Sequence, residues 1–350
     1  FNITVVAPDW RANLTPDGGS VSTGSSQIDF EQFSQELQLL GSWENIELAS
    51  GIYYYEDEGT HDSAATTSLG LAPPEFDITE TENETLAIYA QATWSPDALQ
   101  GRWHFTAGAR YSEDEREAFR LNTRSEEFAA SAPDGASYKK EFSNFNPSLT
   151  VAFDLSDDSN VYAKVVSGYK SGGTSTRSAN AELFRTGFKE EDVVSYELGF
   201  KGDFMDNRLR LNTAVFYMDI DGLQTSLQTG GTPGERDFLP IDGNTIKGFE
   251  AEFTAALTDA WQASFNYGYT DTELGESQVD TPVATFFLTE DMSYVPKNSF
   301  TIALDYHRSL NNGELHGRVG YAYKDEAETS VNVTDNITLD DYCLLYTSPS

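Results

Sequence analysis

The amino-acid sequence predicts an all-β protein, an antiparallel β-barrel that crosses a membrane with its strands. Three observations support this: a recurring alternation, an aromatic residue at a fixed place in it, and connections that alternate in length. Six segments share the alternation, in which every second residue is apolar or small and a tyrosine stands eight positions after the first of them. They cover residues 46–54, 103–111, 161–169, 209–217, 261–269 and 315–323.

The second segment shows the pattern clearly. Its apolar or small residues, from Trp103 to Tyr111, share one face, while Arg102, His104 and Arg110 share the other. A period of two residues is that of a β-strand. Eight steps of about 3.3 Å, tilted by about 40°, rise about 20 Å, close to the ~25 Å apolar band of an outer-membrane barrel. The tyrosine then lies where an aromatic girdle belongs.

The segments between these six alternate in the same way and predict the returning strands. They begin at Leu86, Leu149, Val194, Phe249 and Phe300. Their opposite faces are polar, which suits a water-filled bore. A soluble sandwich would also alternate, but its strands average only about 5 to 6 residues, whereas these keep their phase for longer.

The connections give an independent test, because membrane barrels have short turns at one end and long loops at the other. Short connections are predicted at residues 41–42, 95–101, 156–159, 202–207, 258–260 and 309–313. Long ones are predicted at residues 56–83, 120–140, 171–192, 225–243 and 274–297. The two kinds alternate strictly along the chain, as a barrel requires.

Composition indicates one domain. The alternation runs through the 350 residues without a linker, so we assign residues 1–342 to a single partial barrel of about twelve visible strands. Residues 343–350 drop the alternation and resemble translated adapter sequence, so we expect a non-native tail. The chain begins at Phe1 without a signal peptide, and residues 1–29 are loop-rich. We therefore expect a gene product that starts upstream and a chain that enters through an outer loop.

Charge and residue counts exclude several classes of function. The chain has 57 acidic and 22 basic residues, a net charge of -35, which excludes nucleic acid as a partner. The acidic runs at residues 56–58, 75–84 and 112–117 are expected to keep outer loops solvated, with divalent-cation bridging to an anionic cell surface as the alternative. One cysteine and four scattered histidines predict no disulfide framework and no metal site, and we find no catalytic constellation and no cofactor motif. We therefore expect a protein that is not an enzyme.

Five segments in order resemble one family, the TonB-dependent receptors. They are FSQELQLLG at 33–41, HFTAGARYSEDE at 104–115, the strand pair that ends in GYKSGG at 145–173, the hairpin at 193–224 and NTIKGFEAEF at 244–253. The hairpin, which resembles the family's "YELGLK…NAAFFYMDYKDLQ" pattern, is the most specific. The resemblance covers most of the chain, from about residue 33 to residue 323.

The resemblance implies an outer-membrane receptor with a barrel of about 22 strands, an N-terminal plug and a box that contacts the energy-transducing protein TonB. Plug, box and the usual terminal strand have no counterpart here, so their functional residues are not carried over. The implied function is active uptake of a scarce ligand, with a ferric siderophore as the first candidate and a vitamin or oligosaccharide after it. The implied surroundings are the bilayer and lipopolysaccharide of a bacterial outer membrane.

Ligand capture would fall to the outer loops. The candidate residues are basic or aromatic, because arginine binds the carboxylates of an iron chelator through paired hydrogen bonds. They are Lys139, Lys140, Arg177, Arg185, Arg236, Phe184 and Phe188, with Phe238 as a further apolar neighbour. Ordinary surface charge is the alternative reading.

Two other functions stay open. A passive pore of 12 to 14 strands would fit the chain length and the polar inner face. A surface barrel that transports nothing, such as an adhesin, is the other.

Overall fold

The computed structural model describes residues 2–12, 21–66, 75–230, 234–281 and 284–349. The strands are Asn2–Ala12 (β1), Val21–Ser42 (β2), Ile46–Thr66 (β3), Glu75–Trp94 (β4), Trp103–Asn122 (β5), Ala136–Ser156 (β6), Ser159–Lys170 (β7), Glu191–Phe204 (β8), Leu209–Asp221 (β9), Leu223–Gln228 (β10), Arg236–Ile241 (β11), Asn244–Ala256 (β12), Trp261–Glu273 (β13), Gln278–Asp280 (β14), Thr285–Phe287 (β15), Asn298–Leu310 (β16), Gly313–Lys324 (β17), Ala327–Glu328 (β18), Thr338–Leu339 (β19) and Tyr342–Pro349 (β20). Two short helices, Glu126–Ser131 (α1) and Ala181–Thr186 (α2), and a 3-10 turn at Asp97–Leu99 complete the described elements.

Fourteen strands form one antiparallel sheet. Their order is β1-β2-β3-β4-β5-β6-β7-β8-β9-β12-β13-β16-β17-β20, so each strand pairs with its neighbours along the chain. The other six strands make three separate ribbons within the long connections, β10 with β11, β14 with β15 and β18 with β19. Neither described helix is long or apolar enough to cross a bilayer. The predicted all-β class is confirmed, and from β5 onward long and short connections alternate along the sheet as predicted.

The strands are more numerous and longer than the sequence predicted. Residues 56–66 and 75–83, expected in a loop, continue the β3–β4 ladder from Tyr55↔Thr85 to Ala65↔Glu75, while residues 67–74 of that prediction lie outside the described part. Once the register is fixed, each further pair adds backbone hydrogen bonds with little added loop-closure cost, and threonine favours extended backbone. Residues 2–12 and 21–29, expected to be loop-rich, likewise belong to β1 and β2.

Residues 343–349, expected to be a tail, lie in β20 and pair with β17 from Tyr323↔Cys343 to Gly317↔Pro349. The pairing extends the sheet to fourteen strands, two more than predicted. That this segment is non-native stays a prediction.

The two faces of the sheet agree with the predicted phase. Large apolar side chains project outward and are exposed, for example Ile88 at 57% and Leu198 at 58%. A cluster of aromatic rings marks the end with short turns, where Trp103 lies 4.8 Å from Phe153 and Trp261 lies 4.7 Å from Tyr306 between ring centroids. Such a surface is suited to hydrocarbon flanked by interfacial aromatics.

Tyr169 departs from the predicted girdle. Its hydroxyl donates a 3.0 Å hydrogen bond to Asp114, whose side chain is 6% exposed and belongs to the polar face of β5. The described β6–β7 ladder ends at Ser148↔Val166, so the last residues of β7 pair with β8 alone. Without a partner on that side, the strand end turns its tyrosine toward the polar face.

The buried core lies in the long connections rather than between sheets. One cluster joins three of them and consists of Ile220, Leu227, Leu239, Ile241, Leu274, Phe286, Leu288, Met292 and Val331. Asn244, fully buried, ties two of these connections together, because its amide donates to the carbonyls of Ile220 and Ile241 at 3.1 and 2.6 Å and accepts from the Gly275 amide at 3.2 Å. The outer end of the sheet therefore carries folded loops.

Candidate functional site

The candidate site is the outer mouth, where the connection between β5 and β6 meets the one between β7 and β8. Each connection carries a short helix with a capped N-terminus: Ser125 accepts a hydrogen bond from the Phe128 amide, and Asn180 accepts from those of Glu182 and Leu183. Such caps satisfy amides that a helix leaves unpaired. Both helices can thus form although each has only six residues.

The two helices share a small core. Phe128 and Phe184 are both fully buried, and their ring centroids lie 6.0 Å apart in an edge-to-face arrangement. The cluster is completed by Ala118, Ala132, Ala136, Tyr138 and Ala181, and we call it the mouth core. Packing of this kind holds one connection against the other at the rim.

Arg120 anchors the mouth core to the barrel wall. Its guanidinium, 3% exposed, donates two 2.9 Å hydrogen bonds to the Asp77 carboxylate, one from each of two nitrogens. It also donates to the Ser178 carbonyl and lies over the Phe128 ring at 5.3 Å from its centroid. Paired hydrogen bonds to a carboxylate and stacking on a ring are the geometry for which arginine is suited.

A second charged network lies on the inner wall just below. Asp114 accepts hydrogen bonds from the Thr85 hydroxyl at 2.6 Å, the Tyr169 hydroxyl at 3.0 Å and Arg116 at 2.8 Å. Arg116 also donates to the Ser171 hydroxyl at 3.1 Å, which links the wall to the start of the β7–β8 connection. A carboxylate with little exposure is tolerated here because its oxygens are bonded.

The β10–β11 ribbon closes the far side of this mouth. Arg236 donates to the hydroxyl and carbonyl oxygens of Ser226 at 3.0 and 2.6 Å, and Arg177 donates to the Gly234 carbonyl at 2.9 Å. Asp237, next to Arg236, is 4% exposed and accepts from the Thr229 hydroxyl. Burial raises the pKa of the Asp237 carboxyl, although hydrogen bonds from Thr229 and Ser178 oppose the shift.

An exposed ion pair joins the β7–β8 connection to the end of the ribbon. The Lys189 ammonium lies 2.6 Å from an Asp242 carboxylate oxygen. Through this hydrogen bond the lysine lowers the pKa of Asp242, and the carboxylate raises the pKa of Lys189. Because both side chains are about half exposed to water, the ion pair contributes little to the stability of the loops, although it links them.

The predicted ligand residues take different positions around this mouth. Lys139 and Lys140, expected in a loop, lie in β6, where Lys139 is on the outward face and binds the carboxylates of Glu115, at 2.9 Å, and Glu117. Lys140 lies over the Phe142 ring at 5.0 Å. Arg185 is exposed in the last turn of α2.

The remaining candidates pack against the loops themselves. Phe184 belongs to the mouth core, and Arg177 and Arg236 bind loop carbonyls. Phe188 is half-buried and lies 5.2 Å from Phe238, which is 37% exposed. Arg177, Arg185, Arg236, Phe184 and Phe188 therefore surround one mouth, while Lys139 lies outside it.

The sequence did not indicate two histidine arrangements at the opposite end. His104 bridges the Ser95 hydroxyl at 2.7 Å and the Asp154 carboxylate at 2.9 Å, which joins two short turns. His307 and His316, expected to be scattered, are cross-strand partners in one hairpin. Their place on either side of the 309–313 turn is the signal that could have paired them.

The polar face, the folded loops and the apolar outward face together suit the wall of a membrane barrel whose loops bind a solute from outside. Binding of a solute requires no catalytic nucleophile. Among the described residues, one group of metal-ligating type stands close together, His307 with Glu314 and His316. It lies at the end opposite the mouth.

Known proteins resemble this chain along nearly its whole length. A family model described as "TonB dependent receptor-like, beta-barrel" matches residues 5–346. The ferric-pyoverdine BN7/BN8 receptor of Pseudomonas putida is 27% identical over 190 residues, 53% of this chain and 21% of that receptor. A pesticin receptor of Yersinia enterocolitica is 25% identical over 273 residues, 76% of this chain and 38% of that receptor.

Solved structures share the fold. The ferric yersiniabactin uptake receptor FyuA from Yersinia pestis superposes with a TM-score of 0.73 at 20% identity, over 99% of this chain and 50% of that one. The siderophore receptor PiuA from Acinetobacter baumannii gives a TM-score of 0.66 at 17% identity, over 94% of this chain and 49% of that one. The chain thus spans about half the length of these structures and less of the two relatives above.

Proposed function

The chain belongs to the TonB-dependent receptor family, in its β-barrel part, and from that premise we propose that it serves uptake of a ferric siderophore driven by TonB. Barrels of this family lie in the outer membrane of Gram-negative bacteria. The observation that carries the proposal is the family match over residues 5–346. Relatives whose names state a ferric siderophore, such as the ferric-pyoverdine receptor, favour that ligand class.

The geometry of the mouth supports a binding role for the loops. Arg185 presents a guanidinium from the end of α2, and Phe188, three residues later in the chain, pairs with Phe238 to offer an aromatic surface. A ferric chelate combines anionic oxygens with apolar or aromatic parts, so a cationic fork beside aromatic rings is suited to it. Lys140 adds a cation above Phe142.

The other candidates act through loop position in this proposal. Arg177 and Arg236 hold the ribbon and the β7–β8 connection, and Phe184 fixes α2 against α1. Such residues form the frame on which Arg185 and Phe188 are presented. Lys139, bound to Glu115 and Glu117 on the outward face, contributes to the solvated surface near lipopolysaccharide.

Partners follow from the family. We infer that the whole receptor contacts TonB, because an outer membrane has no nucleotide supply to energise release of a tightly held ligand. Active uptake therefore requires a link to the inner membrane. A passive pore and a non-transporting adhesin remain the alternatives, and the family match, not the strand count, favours the receptor.

Uptake of labelled iron tests the proposal. The full-length gene product is expressed in a bacterial strain without siderophore receptors of its own, with and without TonB, and offered ⁵⁵Fe complexes of pyoverdine, yersiniabactin, a catecholate and citrate. Accumulation of one complex only when TonB is present is the expected result. Equal accumulation in both strains would identify a passive pore, and accumulation of none of the chelates would remove the siderophore assignment.

A further inference from the structure

The hairpin of β16 and β17 brings two imidazoles and a carboxylate to one point at the end with short turns. His307 and His316 are direct cross-strand partners, and their rings are stacked with centroids 4.3 Å apart and planes 10° apart. Glu314 stands two residues before His316 and therefore on the same face of the strand. We call these three residues the hairpin triad.

The hairpin triad lies on the polar face. On β16, Ile302 and Leu304 project outward and are exposed, while Ala303 is buried on the other side. Strand alternation places Asp305 and His307 with Ala303. The triad therefore faces the bore near its periplasmic mouth, away from lipid and open to solvent.

Both imidazoles approach the same carboxylate oxygen. Nε2 of His316 lies 3.3 Å and Nε2 of His307 lies 3.8 Å from Oε2 of Glu314. The potential ligand atoms of the three side chains all lie within 4.8 Å of one another. The hairpin register thus holds a compact N, N, O set of potential ligand atoms.

These distances suit a tetrahedral metal ion. With metal–nitrogen and metal–oxygen bonds of about 2.0–2.2 Å, two ligand atoms of a tetrahedral site lie about 3.3–3.5 Å apart. The His316–Glu314 distance already meets this value, and the His307–Glu314 distance exceeds it by only a few tenths of an ångström. Because the two ring planes are only 10° apart, the imidazoles must also turn out of the stack so that both Nε2 atoms point at one ion, and the exposure of all three side chains allows these rotations without moving the backbone.

The charged residues next to the hairpin triad pair with each other and do not occupy its ligand atoms. The adjacent pair Asp305 and Arg318 is closed by hydrogen bonds of 2.9 and 3.2 Å, so the guanidinium is engaged with that carboxylate. Glu314 itself is held by the two histidines. Two neutral imidazoles with one carboxylate match the ligand preference of Zn²⁺, Ni²⁺ and Cu²⁺ better than that of Mg²⁺ or Ca²⁺, which prefer oxygen.

We propose that His307, Glu314 and His316 form a binding site for a divalent transition-metal ion of the zinc class at the periplasmic end of the barrel. The ion joins β16 to β17 just before their turn and keeps a coordination position open toward the bore, as three-ligand sites do. This site is separate from the outer mouth and does not depend on the proposed siderophore function.

Calorimetric titration tests the site. Zn²⁺ is titrated into the full-length, untagged receptor in detergent, with Cys343→Ser wherever the gene product carries that residue, so that the exposed thiol cannot compete. One Zn²⁺ per chain is expected. Removing a residue that only hydrogen-bonds to a metal ligand costs about 10- to 100-fold in metal affinity. His307→Gln and His316→Gln remove direct ligands, so each should cost at least that much.

His104→Gln is the matched control, because His104 also bonds a carboxylate, Asp154 at 2.9 Å, but has no second imidazole beside it. It should bind Zn²⁺ like the parent protein. Cu²⁺ should bind more tightly than Zn²⁺, and its electron paramagnetic resonance spectrum should show two nitrogens in the parent and one in His316→Gln. A parent protein that binds no Zn²⁺, or binding that survives both histidine substitutions, overturns the proposal.

Discussion

Arg120 and Asp77 form a two-pronged ion pair across neighbouring strands at the rim, with both hydrogen bonds at 2.9 Å. The same guanidinium reaches the Ser178 carbonyl and the Phe128 ring, so one side chain connects the barrel wall with both loops of the mouth core. The order of the binding mouth therefore depends on a residue that is buried and cannot contact a ligand in this arrangement.

Arg120→Ala should destabilise the two connections that form the mouth core without unfolding the barrel. The substitution leaves Asp77 without its partner, and breaking a buried pair costs up to about 3–5 kcal/mol, reduced here because Asp77 is 23% exposed. Hydrogen exchange in residues 174–186 should rise, while the strands below stay protected. The exposed neighbour gives the control, Arg124→Ala, for which no change is expected. Unchanged exchange in Arg120→Ala would show that the loops hold together without this anchor.

The sequence was sufficient to predict the sheet because its two faces have different solvents. Residues such as Leu198 and Glu197 alternate wherever one face meets hydrocarbon and the other meets water, and this contrast gives the period of two directly. Above the membrane both faces are wet, so the contrast disappears. The ladder from Tyr55 to Ala65 could not be distinguished from a loop for that reason.

The candidate site was harder to predict because loop contacts are long-range. Phe184 was expected to meet a ligand, but its burial depends on Phe128, which is 56 positions away in sequence and carries no periodic signal. Tyr169 kept its phase in the sequence and lost it in the structure where β7 separates from β6. The His307–His316 pair, in contrast, follows from the hairpin register alone.

Leu198→Arg should destabilise the barrel, because Leu198 projects outward and is 58% exposed toward lipid. An arginine near the bilayer midplane costs about 2–4 kcal/mol. Asn212→Arg is the inward control: Asn212 bonds Glu252 at 3.3 Å, and an arginine there keeps a carboxylate partner. Urea unfolding of the full-length receptor in bilayers measures both. Equal costs at the two positions would contradict the assignment of the faces.

The β10–β11 ribbon should become less stable as pH rises because of Asp237. Burial raises the pKa of this carboxyl in the folded ribbon above its ordinary value of 3.8. The folded form therefore holds the proton more tightly, so this contribution is complete below the ordinary pKa and is lost as pH rises through the folded pKa. Asp237→Asn cannot ionise and should not lose it.

The test compares local opening of the ribbon at pH 4 and pH 7 by hydrogen exchange in residues 223–241, corrected for intrinsic rates. The opening free energy of the ribbon in Asp237→Asn, minus that in the parent protein, should be larger at pH 7 than at pH 4. A constant difference would mean that Asp237 titrates alike in the open and closed ribbon.

Gly187→Ala should disturb the connection after α2. Gly187 has φ +63° and ψ -164°, a conformation that other residues rarely adopt, at a cost of about 1–3 kcal/mol. An added Cβ would also overlap the Gly173 carbonyl oxygen and the Tyr138 ring. Gly168→Ala is the control, since a Cβ there meets nothing within 4 Å. Proteolysis within residues 171–190 should accelerate only in Gly187→Ala, and equal rates in both would argue against strain.

Arg185→Ala and Phe184→Ala separate ligand contact from loop support, since the two residues are adjacent in α2 but face different surroundings. Arg185 is exposed and should contribute a charge-assisted hydrogen bond to the bound chelate, worth about 1.5–3 kcal/mol, or about 10- to 150-fold in affinity. Its removal should leave hydrogen exchange of the mouth core unchanged.

Phe184 is fully buried, so Phe184→Ala should cost about 3–5 kcal/mol of local packing and raise exchange across both helices while it weakens binding. Binding of the ferric chelate, measured by fluorescence quenching beside exchange on the same samples, distinguishes the two. If Arg185→Ala binds like the parent protein, the guanidinium is ordinary surface charge, and recognition must lie with Phe188, Phe238 or Lys140.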